Sequence, residues 1–371
     1  MDEPKQFKDY FDKKLAQKLA KLIGEVYPSF KPRSFVRQVA NQIEPLELKA
    51  RVAVMAEVLR ECLPADYLEA LDILVQILGP ENEDKDSEYV RGLQLMPVEH
   101  FVGVYGLDHF EQSMQALYEI TKRSSAEFAI RPFLIRYEKQ TLKVLSEWVT
   151  DPSEGVRRLV SEGSRPRLPW AMQLPSFMAN PRPTLKLLEK LKDDPSEYVR
   201  RSVANHLNDV TKDNADLAVD VLARWAKGAS KERQWIIRHA LRSLVKQGHK
   251  GALEVLGYGP PKVNLACFYV TTPIVQFGSA LEFSFALQSE GKQSQNLVVD
   301  YVIHFVKANG STSPKVFKLS SRTLKAGERL TLERVHKIRP ITTRKYYAGG
   351  HRVEVQVNGV VLGGGEFELR M

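Results

Sequence analysis

The sequence predicts two domains of different class, an all-α solenoid of helical repeats over residues 1–258 and a small all-β sandwich over residues 262–371. Three observations predict this. TLKVLSEWVTDPSEGVRRLVSEG (Thr141–Gly163) and TLKLLEKLKDDPSEYVRRSVANH (Thr184–His206) align without a gap at a period of 43 residues. Ahead of Gly257, apolar residues recur at spacings of three and four; beyond it they alternate with a period of two. A period near 43 is that of HEAT and armadillo-type helix pairs, which cannot bury their apolar stripe alone and must stack on neighbours.

Taken in order, Tyr10–Ile23 and Phe35–Leu78 carry leucine, valine and alanine on one helical stripe and begin the solenoid. GPENEDKDSEYVRG, around residues 79–92, reads as an acidic loop. Phe110–Ile120 and Ala126–Tyr137 form a further pair, the second started by Ser124 or Ser125 as N-cap with Glu127 in its first turn. The two 43-residue copies follow. Between them GSRPRLPWAMQLPSFMANPRP (Gly163–Pro183) holds too much proline to be helical throughout. Asp216–Ala226 and Lys231–Lys246 close the helical series, the latter with Arg238 and Arg242 one turn apart. After a GYGPP break, NLACFYV, LEFSFAL, NLVVDYVIHFV, KVFKLS, RLTLERV, HRVEVQV and VVLGGGEFEL read as seven short strands, the pattern of an immunoglobulin-like sandwich.

Charge is unevenly distributed. Residues 1–155 hold 20 Lys+Arg against 26 Asp+Glu, residues 156–250 hold 19 against 10, and residues 251–371 hold 15 against 9. The positive stretch suits a polyanionic partner. The loop HKIRPITTRKYYAGGHR (His336–Arg352) sets Arg339, Arg344 and Lys345 beside two tyrosines, a composition that fits either a nucleic-acid contact or a solvated end of the sandwich. No apolar run reaches 18 residues and the N-terminus is too charged for a signal peptide, so a cytoplasmic protein without a membrane segment is expected. Cys62 and Cys267 do not imply a disulfide framework.

Phosphate-binding glycine loops, H-E-x-x-H, C-x-x-C and G-x-S-x-G are all missing, and the eight histidines show no metal-ligand spacing. Carboxylate chemistry remains. In the repeat alignment Glu162 takes the position that Asn205 holds in the next copy, and Asp209 lies one turn beyond Asn205. Acids on a face that also carries Arg157, Arg158, Arg200 and Arg201 oppose DNA backbone binding, so they are either catalytic, or partners of those arginines, or caps of a helix end. Trp170 in the insert reads as a core plug or as an exposed aromatic platform.

SSAEFAIRPFL (124–134), VRRLVSEGSRPRLPWA (156–171), RRSVANHLNDVTKD (200–213) and RHALRSLVKQGHKGALEVLGY (238–258) strongly resemble the AlkC branch of the HEAT-like bacterial DNA alkylation repair glycosylases, and the sandwich resembles the C-terminal domain many of them carry. The resemblance implies a monofunctional glycosylase that hydrolyses the N-glycosidic bond of N3-alkylated bases, chiefly 3-methyladenine, in duplex DNA, without a metal, a cofactor or base flipping. It implies Glu127, Glu162 and Asp209 as active-site acids and Trp170 as an aromatic against the deoxyribose or base. Arg157, Arg158, Arg165, Arg167, Arg200, Arg201, Asn205, Arg238 and Arg242, with Arg339, Arg344 and Lys345 from the sandwich, would contact DNA, and the protein would be a nucleoid-associated monomer. A non-catalytic HEAT-repeat protein that scaffolds a partner or reads DNA structure is the alternative.

Overall fold

The computed structural model describes residues 6–81, 92 and 94–371. Most of the expected acidic loop at 79–92 lies outside the described residues.

By Cα packing the chain divides into two compact units, Met1–Asn214 and Ala215–Met371. After a 3₁₀ turn at Phe7–Tyr10, the first unit runs through α1 (Lys13–Val26), α2 (Pro32–Ile43), α3 (Leu48–Cys62), α4 (Tyr67–Gln76), α5 (Met96–Tyr105), α6 (Phe110–Thr121), α7 (Ile130–Arg136), α8 (Glu138–Trp148), α9 (Glu154–Gly163), α10 (Pro175–Ala179), α11 (Arg182–Leu191) and α12 (Glu197–Val210). The duplicated sequence becomes duplicated structure. First helices α8 and α11 pack on each other, as do second helices α9 and α12, and each first helix packs on its own second helix. Val156, Leu159 and Val160 of α9 and Val199, Val203 and Leu207 of α12 are buried, which is the apolar stripe the periodicity requires.

The turn inside each repeat is built identically. Asp151 Oδ1 accepts from Ser153 N at 2.8 Å, and Asp194 Oδ1 accepts from Ser196 N at 2.9 Å. Arg157 Nη1 reaches back to the carbonyls of Asp151 and Pro152, and Arg200 Nη1 to those of Asp194 and Pro195. These are local polar closures of a kind that Asp-Pro turns favour.

One helix start differs from expectation. The segment expected to be helical from Ala126 is a turn as far as Ala129, and helix begins at Ile130. Neither Ser124 nor Ser125 caps it, because the N–H groups of Phe128 and Ala129 are taken by Glu99 Oε1 at 3.0 and 3.1 Å.

The second unit contains α13 (Ala215–Ala226), α14 (Lys231–Lys246) and α15 (Lys250–Val255), then eight strands among the described residues: β1 (Val263–Val270), β2 (Ile274–Gln276), β3 (Ala280–Ser289), β4 (Gln295–Val306), β5 (Thr312–Leu324), β6 (Arg329–Lys337), β7 (Gly349–Val357) and β8 (Val360–Arg370). They form two sheets, β1-β3-β6 and β2-β8-β7-β4-β5. Leu281, Phe283, Phe285, Tyr301, Ile303, Val353 and Val355 belong to one core cluster. The seven expected strands are present, and β2, only three residues long and parallel to β8, is the additional one. Its length is below what an alternation can reveal. Gly364 in β8 has no room for a side chain, since a Cβ there would lie 2.0 Å from the Val353 carbonyl oxygen.

Helix gives way to strand between Val255 and Val263, near the expected 258–262 boundary, whereas the compact division falls at Asn214. The last helices are joined to the sandwich within their unit: Gln356 Nε2 donates to Lys246 O at 3.1 Å and Asn358 Nδ2 to Gly259 O at 2.8 Å.

Candidate active site

In the first unit a cleft of about 550 Å³ is bordered by the turn ahead of α7, the C-terminal half of α9 with the loop that follows, Tyr198 of α12, Met96 and Glu99 of α5, Leu48 of α3, Phe7 and Gly92. Glu127, Glu162, Arg158, Arg165 and Trp170 border it.

The acids are held by arginines. Arg165, three residues beyond Glu162, turns back so that its Nη1 meets Glu162 Oε1 at 2.6 Å while its Nε meets Asp209 Oδ2 at 2.8 Å. Glu162 Oε2 accepts from Ser202 Oγ at 2.6 Å. Asp209, 2% exposed, receives Lys212 Nζ on its other oxygen at 2.8 Å. Arg158 Nη1 meets Glu127 Oε2 at 2.7 Å, lies 3.8 Å from Glu162 through Nη2, and has its guanidinium carbon 4.6 Å from the Tyr198 ring centre. The four partners Glu127, Arg158, Glu162 and Arg165 thus make a continuous chain of charge that ends on Asp209. Burial works against the charge of Arg165, yet Glu162 and Asp209 outweigh it and hold its pKa above the usual value. For Arg158 burial is likewise outweighed, by Glu127, Tyr198 and Glu162.

Beneath this chain sits Arg131, fully buried. Its Nε donates to Met172 O at 2.7 Å and its Nη1 to Gly163 O and Arg165 O at 2.9 and 2.8 Å. One guanidinium therefore ties together both ends of the loop that carries Arg165 and Trp170. Burial first, then the neighbouring Arg165, lowers its pKa to about 10. The loop delivers Trp170 to the surface, 66% exposed, in the left-handed conformation at φ 65°. That conformation costs a bulky residue about 1–3 kcal/mol and persists where surroundings enforce it, most often at functional sites. The core-plug reading of Trp170 is thereby excluded.

Behind Asp209, the buried His206 points Nδ1 at Ser161 O at 2.9 Å, and burial lowers its pKa to about 4. Glu99, 4% exposed on α5, is the reverse case, with burial raising its carboxyl to about 8.

The expected DNA ligands fall into two groups. Arg157 forms a two-pronged pair with Asp194 at 2.6 and 3.0 Å besides closing its turn, and Arg200 closes the equivalent turn. Arg158 and Arg165 are committed to the acids, and Arg167 makes a two-pronged pair with Asp213 at 2.7 and 2.6 Å. Asn205 is half-buried on α12. Arg201 is exposed and pairs with Glu197 one turn away at 2.6 Å. In the second unit, Arg238, Arg339 and Lys345 are exposed, and Arg242 is half-buried with Nη1 on His239 O. Arg344 lies inward, its guanidinium carbon 3.8 Å from the Phe305 ring centre. Arg131, Glu99, Lys212 and Ser202 belong to the site although sequence reasoning did not single them out. Glu99 had a signal, an acid in the run MPVEHFVGVY, and Arg131 stood inside SSAEFAIRPFL.

Among the described residues, no group of three or more His, Cys, Asp or Glu is arranged to hold a metal ion, and no helix is long and apolar enough to cross a membrane.

Comparison with known proteins finds similarity over nearly the whole length. Residues 264–371 match the family described as "Uncharacterised protein YhaZ, C-terminal Ig-like domain". The chain is 36% identical to the uncharacterized protein YhaZ of Bacillus subtilis (strain 168), over 98% of this chain and 99% of that one. Among solved structures it is similar to the Pseudomonas fluorescens alkylpurine DNA glycosylase AlkC bound to DNA containing an abasic site analog, with 41% identity, a TM-score of 0.90, and 98% and 99% of the two chains covered.

Proposed function

From the premise that the chain belongs to the AlkC family of alkylpurine DNA glycosylases, we propose that it excises cationic N3-alkylated bases, chiefly 3-methyladenine, from duplex DNA as a monofunctional monomer in the cytoplasm, without base flipping. The observation that carries this reading is the cluster of Glu127, Glu162 and Asp209, gathered by the half-buried Arg158 and the buried Arg165 beside an exposed tryptophan.

The lesion is its own leaving group. As the N-glycosidic bond breaks, its electron pair passes to the base nitrogen and neutralises the base, leaving an oxocarbenium-like sugar; water adds at C1′ and gives up a proton. Carboxylates fixed in advance stabilise the charge on sugar and lesion, the strategy of glycoside hydrolysis. Asp209 positions the water and faces the sugar cation, Glu162 and Glu127 add negative field, and Trp170 lies against the deoxyribose. Lys212 covers one oxygen of Asp209 on a side chain that is 46% exposed. A phosphate competes for that ammonium, so DNA arrival would draw Lys212 away and present Asp209 to the sugar.

Phosphate contacts are proposed for the basic side chains on exposed surface, Arg201, Arg238, Arg339 and Lys345. The domain boundary at 258–262 and a DNA-contacting role for residues 262–371 belong to the same proposal.

Incubation of the protein with randomly methylated duplex DNA, followed by chromatography of the released bases, tests the reading. Free 3-methyladenine is expected. Salt-sensitive DNA binding with no base released would favour the non-catalytic DNA-structure-binding alternative.

A further inference from the structure

A second hollow opens off the acidic cleft. Its volume is about 200 Å³, and Leu48, Met96, Glu99, Phe128 and Trp170 border both spaces. The cleft contributes Glu127, Glu162 and their arginines; the recess is apolar apart from Glu99, His100 and Lys49. The two neighbouring spaces are both walled largely by apolar side chains and differ in their charged groups, and they share a strained and exposed tryptophan at their junction.

Glu99 supplies the polar chemistry of the recess. Its Oε1 is occupied by the N–H groups of Phe128 and Ala129, while its Oε2 has no partner among the described residues. Burial raises the carboxyl to about 8, which favours its protonated form near neutral pH, and with Oε1 accepting two N–H groups the proton belongs on Oε2, where it can be donated. A small hollow with largely apolar walls, a few placed polar groups and an aromatic face is the usual form of a site for a planar heterocycle.

We propose that this recess is a product site, which takes the neutral alkylated purine once it has left the sugar, stacked on Trp170 and hydrogen-bonded by Glu99 Oε2. The inference rests on the glycosylase reading above. The charge change in the reaction gives it direction. Before cleavage the lesion is a cation, attracted by the acids of the cleft and excluded from an apolar recess walled by Lys49, because burying an uncompensated charge is costly. After cleavage the base is neutral, the acids no longer hold it, and burial of its apolar faces becomes favourable. Cleft and recess would therefore bind the same heterocycle in its two charge states, in sequence.

The test is equilibrium dialysis of the full-length protein, free of DNA, against 3-methyladenine at neutral pH, with 1-methyladenosine as a cationic control. Saturable binding of the neutral base is expected, and none of the cation. Val104 and Ala171 line the recess, and Val104 is 48% exposed, so Val104→Phe and Ala171→Phe fill the space from its wall. Each is expected to weaken binding about tenfold or more, with circular dichroism confirming the fold. Absence of saturable binding to wild type, undiminished binding in both filled variants, or equal binding of the cation would overturn the proposal. Since binding is read without DNA or turnover, excision without base binding would sink the recess alone, and base binding without excision would sink the glycosylase reading.

Discussion

Arg165 shows how one residue sets the character of the site. It is buried, it bonds Glu162 and Asp209 at once, and its own backbone carbonyl is held by Arg131. Breaking a buried pair by removing one partner leaves an uncompensated charge, at a cost of about 3–5 kcal/mol. Arg165→Met is therefore expected to lower unfolding free energy by that order in a urea titration; a change below about 1 kcal/mol would mean the acids are solvated and not held by the arginine. Residues differ in how far the sequence reveals them. Glu127, Glu162 and Trp170 were readable because each stands inside a motif or at a place where the repeat breaks. Asp209's partners were not, since Lys212 and Arg165 reach it through turns that side-chain spacing on a helix does not describe. Trp170 could be named from sequence but not oriented, because its left-handed backbone depends on Arg131 tying the loop from below.

At the scale of the element, the duplicated turn explains why pairs of arginines recur. The first of each pair, Arg157 and Arg200, folds back onto the carbonyls of its own Asp-Pro turn, so the repeat that looked like a basic stripe is in part a structural closure. Arg200→Ala is accordingly expected to destabilise by about 1–3 kcal/mol in thermal or urea unfolding while leaving the salt slope of DNA binding unchanged. A slope reduced by about one unit with stability intact would instead make Arg200 a phosphate ligand. Helix pairs and strands were legible because apolar periodicity is a property of contiguous sequence. The late start of α7 was not, since it depends on Glu99, 29 residues from Phe128, taking two backbone N–H groups that a local serine was expected to satisfy. β2 escaped for the opposite reason, being too short to show alternation and specified by its pairing with β8.

For the molecule as a whole, charge and protonation make two further predictions. Arg339 and Lys345 are exposed on the loop between β6 and β7, whereas Arg344 and Tyr346 of the same loop lie on Phe305. Replacing Arg339 and Lys345 together by alanine is expected to lower the salt slope of DNA binding by about two units with no loss of thermal stability; an unchanged slope would remove the loop from the interface. Stability should also fall on both sides of mildly acidic pH. Glu99, whose folded pKa is raised to about 8 from 4.5, contributes stability fully present below the lower value and lost as pH rises through the higher. His206, lowered to about 4 from 6.5, remains neutral in the folded state while the unfolded chain takes up a proton, so stability declines as pH falls between those values. Glu99→Gln keeps an acceptor for Phe128 and Ala129 but cannot ionise, and is expected to flatten the alkaline decline in unfolding free energy between pH 5 and pH 8; an identical decline in the variant would assign it to other groups. The acid cluster itself is tested most directly by single-turnover release of 3-methyladenine from methylated duplex DNA by Asp209→Asn at saturating enzyme. A rate lower by about 100-fold or more, with DNA affinity retained, is the result expected of a preorganised electrostatic group beside C1′; a rate equal to wild type would contradict that role for Asp209.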